Sequence, residues 1–265
     1  MCNLLYFMNI FIKGVVLVER NKIIKVFEQY MKKFNLNKNS IKARYFHALK
    51  VMELSEDIAS VLGIFSEEEV IVCGLIGLFH DLASFKETSY ELDNDDETKI
   101  RETVDIIFEE GLIRKITSDT KYDNTIKIAI YCYNKTTLPD KLDPKIKHFC
   151  QVLKDAHKID NFRLVLNYPY VDLHIDNYPT ELVYNTFKEF RTVNNKVSEN
   201  NADEIIVVLS ESFSLNYRYS YQVLIENDYI SKIIHSLLIK DKNITRFFKQ
   251  IEHVLNGYLK RKIGV

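Results

Sequence analysis

The chain has 265 residues, a length that allows one main domain with an appended part and does not demand two. Its 36 basic and 37 acidic residues nearly cancel, so its overall charge recruits neither nucleic acid nor an anionic membrane surface, and a small-molecule partner is expected. With 46% hydrophobic residues but only seven glycines and four prolines, the composition suits a helical core better than a turn-rich sheet.

Residues 1–19, beginning MCNLLYFMNIFIKGVV, form an N-terminal segment whose assignment is open. The run lacks a basic start, is interrupted by Lys13 and falls short of the roughly 20 apolar residues of a spanning helix. A core-packing segment, or a start codon placed too early, is the simpler reading, and no membrane partner is expected. The first predicted helix follows, with Ile23, Phe27, Tyr30, Met31 and Phe34 on one face and NLNKNS as its break. A second runs from Ser40 to Leu62, where Val51, Leu54 and Ile58 make an apolar stripe that also carries His47 and Gly63 is the stop.

Ser66 and Glu69 have the spacing of a capping box ahead of VIVCGLIGLF, a third helix apolar on all sides and hence buried. His80 and Asp81 close it. Ile100, Val104, Ile107 and Phe108, ended by Gly111, give a fourth helix, and the run from residue 124 to Tyr133 gives a fifth. DNDDE at 93–97 lacks the glycine and distal glutamate of a calcium loop and reads as a solvated loop. Asp143 and Pro144 start a sixth helix, on which Val152, Asp155, Ala156 and Ile159 share a face.

After Leu166 the texture changes. NYPYVDLHIDNYPTE, with two prolines, is the best linker candidate, and further helices are expected at roughly 181–192, 203–215, 217–226, 228–240 and 243–260. The fold expected is all-α: a main helical domain over 20–165 and a helical extension over 166–265 packed on it. Cysteines 2, 73, 132 and 150 form no CxxC pair, which fits a reducing cytoplasm. Phosphate-cradle and nucleophile-elbow motifs are absent from the sequence.

Chemistry therefore rests on polar groups that the periodicity turns inward: His47, the His80 and Asp81 pair, and Asp155. Ionised carboxylates are buried only when paired or bound to a cation. A shared divalent ion and ion pairing with nearby lysines both meet that condition, and the spacing alone does not choose between them.

Three quoted stretches, YFHALKV at 45–51, GLFHDLASF at 77–85 and LKDAHKID at 153–160, resemble the H…HD…D signature of the HD superfamily of metal-dependent phosphohydrolases. The chain is similar to bacterial HD domain proteins over nearly its whole length from about residue 20, including IFEEGLIRK and the tail. The resemblance implies an HD-domain helical bundle, His47, His80, Asp81 and Asp155 as metal ligands, and one divalent transition-metal ion (Mn, Fe, Co, Ni or Zn). It also implies hydrolysis of a phosphate ester, of a nucleotide or related small molecule, by an activated water, with Asp81 as the group that takes the proton.

Two-metal members of the superfamily carry further histidines between the HD pair and the last aspartate, and this chain has none between His80 and His148. Lys99 and Tyr133 occupy places where such relatives carry histidine, so a second metal is not expected. Lys99, Tyr133 and Arg44, one turn before His47, are instead candidates for contact with substrate. His157, which stands where an aspartate is common among the relatives, is off the face of Asp155 and reads as a surface or supporting residue. The alternative from another class is a sensor or interaction module whose degenerate site binds a nucleotide or an ion without turnover.

Overall fold

In a computed structural model, which describes residues 19–86, 96–167 and 172–264, the chain is helical throughout. Eleven α-helices occur among the described residues: α1 Arg20–Met31, α2 Asn39–Leu62, α3 Glu67–Phe79, α4 Asp96–Phe108, α5 Asp123–Cys132, α6 Pro144–Asn167, α7 Glu181–Lys188, α8 Asn201–Ser210, α9 Arg218–Glu226, α10 Tyr229–Ser236 and α11 Lys242–Ile263. The N-terminal run to residue 18, the DND of the 93–97 stretch and the first residues of the proline-containing linker lie outside the described residues. No helix among those described is long and apolar enough to cross a membrane.

The local signals act as the sequence implies. α2 ends on Gly63 at φ 64°, a left-handed conformation that costs glycine nothing. At α3 the Ser66 side chain accepts from the Glu69 amide and Glu69 reaches back to the Ser66 amide, a complete capping box. From Val72 to Phe79 every residue of α3 is buried. That helix packs intimately on α2, because a Cβ at Gly77 would lie 2.7 Å from the Val51 carbonyl oxygen.

α6 is the axis of the molecule. It packs against α2, α3 and α5 on one side and against α8, α9 and α10 on the other. The later elements depart from expectation at one place: the 228–240 stretch is not one helix but α10 followed by a strand, β2 Leu238–Ile239. β2 runs parallel to β1, His174–Ile175, within the linker, with His174 opposite Leu238 and Ile175 opposite Ile239. The apolar spacing of Ile230, Ile233, Ile234 and Leu237 continues a helical stripe. At Leu237 the backbone nevertheless turns extended, and the Leu238 amide donates to the Leu173 carbonyl at 2.9 Å. A two-residue pair leaves the core helical, so the fold is all-α.

The glycines of α3 should separate in a stability measurement. Gly77→Ala forces α2 and α3 apart at backbone and is expected to cost about 1–3 kcal/mol. At Gly74 the neighbours are Glu56 side-chain atoms, which can move, so Gly74→Ala should change the urea midpoint little.

Candidate metal centre

The site forms where three buried segments meet. His47 lies in the middle of α2, His80 caps the C-terminus of α3, and His157 lies on α6. Their ring centroids make a nearly equilateral triangle: 5.2 Å from His47 to His80, 5.1 Å from His47 to His157 and 5.2 Å from His80 to His157. One nitrogen from each ring can be chosen so that all three lie within 4.8 Å of one another.

Hydrogen bonds fix which nitrogens face inward. The Nδ1 of His80 is 2.7 Å from the Gly77 carbonyl oxygen, which can only accept, so Nδ1 carries the hydrogen and Nε2 the lone pair. That Nε2 is buried and has no hydrogen-bond partner. On His47 it is again Nδ1 that is engaged, donating to Asp160 Oδ2 at 2.7 Å. Asp160 is fully buried and is gripped also by the Arg163 guanidinium. Burial alone would raise its pKa, but the bonds from His47 and Arg163 outweigh that and hold the carboxyl below its ordinary value. A carboxylate behind an imidazole is the arrangement that fixes the tautomer and orientation of a metal-binding histidine.

Burial pulls the pKa of His80 down to about 3, and the neighbouring His47 adds to the effect. Burial likewise holds His157 well below its usual value, helped by His47 and His80. Imidazole nitrogens within 4.8 Å of one another, one of them an orphaned buried atom, fit a borderline divalent cation.

Asp81 is placed beside this triangle. Ser84, in a 3-10 turn over Leu82–Lys86, donates to Asp81 Oδ1 at 2.6 Å, and the Ala83 amide donates to Thr103 Oγ1 of α4 at 3.1 Å. Burial pushes the Asp81 carboxyl up, opposed by the Ser84 bond and by the charges of His47, Arg44 and Lys99. Arg44 donates to the Ser84 carbonyl oxygen at 2.6 Å, and Lys99 comes from the α4 turn before Thr103. The Tyr133 ring, at the end of α5, stands edge-on to His80 at 5.2 Å and to His157 at 5.4 Å. Arg44, Lys99 and the tyrosine are thus near the triangle.

Asp155 is not. The expected convergence of His47, His80, Asp81 and Asp155 on one point fails at this residue, whose fully buried carboxylate is consumed on the opposite face of α6. It accepts from the Asn216 amide at 2.9 Å, the Asn216 side-chain amide at 2.7 Å, the Tyr217 amide at 3.1 Å and the Ser220 hydroxyl at 2.6 Å. These groups belong to the turn that opens α9, and capping it satisfies the buried charge without a metal. The residue that faces the histidines is His157, two positions on, with Asp160 one turn further. The sequence offered a signal for this in the i, i+3 spacing of His157 and Asp160, an imidazole and a carboxylate on one face.

The helical bundle gathers three imidazoles beside an HD pair at its centre, a cluster that could hold a metal ion. The family model of the HD domain matches residues 44–161, a stretch just under half the chain that contains every residue of this site. The match is consistent with an HD superfamily protein. No curated protein and no solved structure matches it.

Asp155→Ala should lower stability by about 2–4 kcal/mol, because it strands the donors that opened α9. Equilibrium denaturation measures that loss, and metal affinity of the folded variant should stay at the parent value.

Proposed function

We propose that the chain is a phosphohydrolase that cleaves a phosphate ester of a small molecule, of nucleotide type, at a centre holding one divalent transition-metal ion. The observation that carries this reading is the orphaned Nε2 of His80, buried against the rings of two further histidines inside an HD domain. His47, His80 and His157 would hold the ion. What such an ion supplies is activation of water and neutralisation of charge on a phosphoryl group.

The rest falls to the protein's side chains. Asp81, with its carboxyl pushed up by burial, suits receipt of a proton beside the centre. Arg44 and Lys99, whose charges already act on Asp81, suit the bridging and terminal oxygens of a phosphate. Tyr133 forms a wall next to His80 and His157 and limits how the group attached to the phosphate lies. Specificity would come from the loops around 84–99 and 134–143, of which residues 87–95 lie outside the described residues. Nothing supports a nucleic-acid partner, and the free thiols of Cys73, Cys132 and Cys150 favour a reducing compartment such as the cytoplasm.

A second reading has one observation in its favour. Among the described residues a single group of three metal-capable side chains occurs, and Tyr133 stands at its edge where two-metal relatives carry histidine. A centre of that kind suits a sensor that binds a nucleotide without turning it over.

Turnover of a nucleotide panel and of a chromogenic phosphodiester, with and without chelator, separates the readings. The hydrolase reading expects chelation to abolish activity and His80→Ala to lower kcat/KM by about a thousandfold or more, with Lys99→Ala acting mainly by raising KM about tenfold. Nucleotide-dependent thermal stabilisation without turnover would favour the sensor. Turnover that survives both chelation and His80→Ala would remove the cluster from the chemistry.

A further inference from the structure

The donors of this centre are chemically one-sided. All three clustered side chains present imidazole nitrogen, and two of them are held in orientation, His80 by its bond to the Gly77 carbonyl and His47 by its bond to Asp160. Asp160, although it is ionised and close, touches the histidine and stays outside the triangle. The neighbouring Asp81 directs one carboxylate oxygen to the Ser84 hydroxyl at 2.6 Å and is not among the three clustered donors.

Imidazole suits zinc, copper, iron and nickel, whereas magnesium, calcium and manganese favour carboxylate, carbonyl and water oxygen. A hard ion entering this triangle would exchange hydration for three nitrogens and little negative charge. A borderline ion gains strong bonds there and keeps its full double charge, since neutral ligands cancel none of it. Such a residual charge would draw an anion to the remaining coordination positions.

We propose that the centre discriminates by ligand softness: it takes borderline ions of the cobalt, nickel and zinc type and rejects magnesium and manganese, and His157 is the residue that sets this preference. The proposal rests on the metal centre proposed above and deepens it. His157 is the lever because His47 and His80 are the histidines of the HD signature itself, while the third corner is the place where a carboxylate or an imidazole decides the charge of the whole set. α6 can offer either type of group on its two faces, and it turns the imidazole toward the site and Asp155 away.

The test uses full-length protein stripped with chelator and reads binding directly. Cobalt(II) is titrated in and followed by its visible absorption, then challenged with zinc, manganese or magnesium, and free manganese is counted by electron paramagnetic resonance. Zinc should displace cobalt, and manganese or magnesium in about a hundredfold excess should not. His157→Asp should narrow the cobalt-to-manganese affinity ratio by about tenfold or more, and Asp155→Asn should leave that ratio unchanged. If His157→Asp does not fold, His157→Gln should weaken cobalt binding by about tenfold or more while retaining the helical circular dichroism of the parent.

Manganese bound as tightly as cobalt, or a ratio that ignores His157→Asp, overturns the selectivity and leaves the hydrolase reading standing. Selective cobalt binding without any hydrolysis supports the selectivity and overturns the hydrolase. Failure of every ion to bind overturns both.

Discussion

The structure turns on α6, a helix buried along two opposite faces, each of which carries an ionised side chain that must find partners. At roughly 3.6 residues per turn, positions 155 and 157 point about 200° apart, so they cannot serve the same side. Asp155 meets its requirement with the amides and hydroxyl at the start of α9, and Asp160 meets its own with His47 and Arg163. One carboxylate therefore ties the C-terminal helices to the bundle, and the other orients a histidine of the site. The same helix makes both attachments, so the extension and the centre share a single rigid support.

Electrostatics explains why the site is arranged from the outside in. Charge close to the triangle would carry a desolvation cost, and burial favours the neutral form of His80 and of His157. The Asp160 carboxylate is held one hydrogen bond away, behind His47, where the Arg163 guanidinium offsets it. Asp81 is kept at the rim by a turn that itself is pinned twice, by Arg44 from α2 and by Thr103 from α4. Arg44 and Lys99 thus gather beside Asp81 and stay out of the cluster, where they would repel a cation.

Most of the fold was legible because it is written in local signals. The Gly63 stop and the Ser66–Glu69 capping box mark real helix ends, and the apolar run before His80 is a buried helix. His47 and His80 were legible as inward groups for the same reason. The face of α6 was not, because both of its sides are apolar: Val152, Ala156 and Ile159 accompany Asp155, while Leu153 and Cys150 are buried as well. With no solvent side to orient the helix, periodicity finds two inner faces and cannot say which looks toward the histidines. The β1–β2 pair was hidden because Leu237 continues the stripe of α10, and only a partner 65 positions earlier, Leu173, determines that Leu238 turns extended.

The contact at Gly77 has a consequence for the site as well as for packing. Val51 is one turn beyond His47 on α2, and Gly77 is nearly one turn before His80, to which it also lends its carbonyl oxygen. The bare backbone of α3 thus acts as a gauge block between the two helices, and its thickness sets the gap between the first two imidazoles. Centroids 5.2 Å apart are the reading on that gauge. A glycine with no polar side chain of its own, one helical turn from His80, in this way calibrates the spacing of the histidine pair.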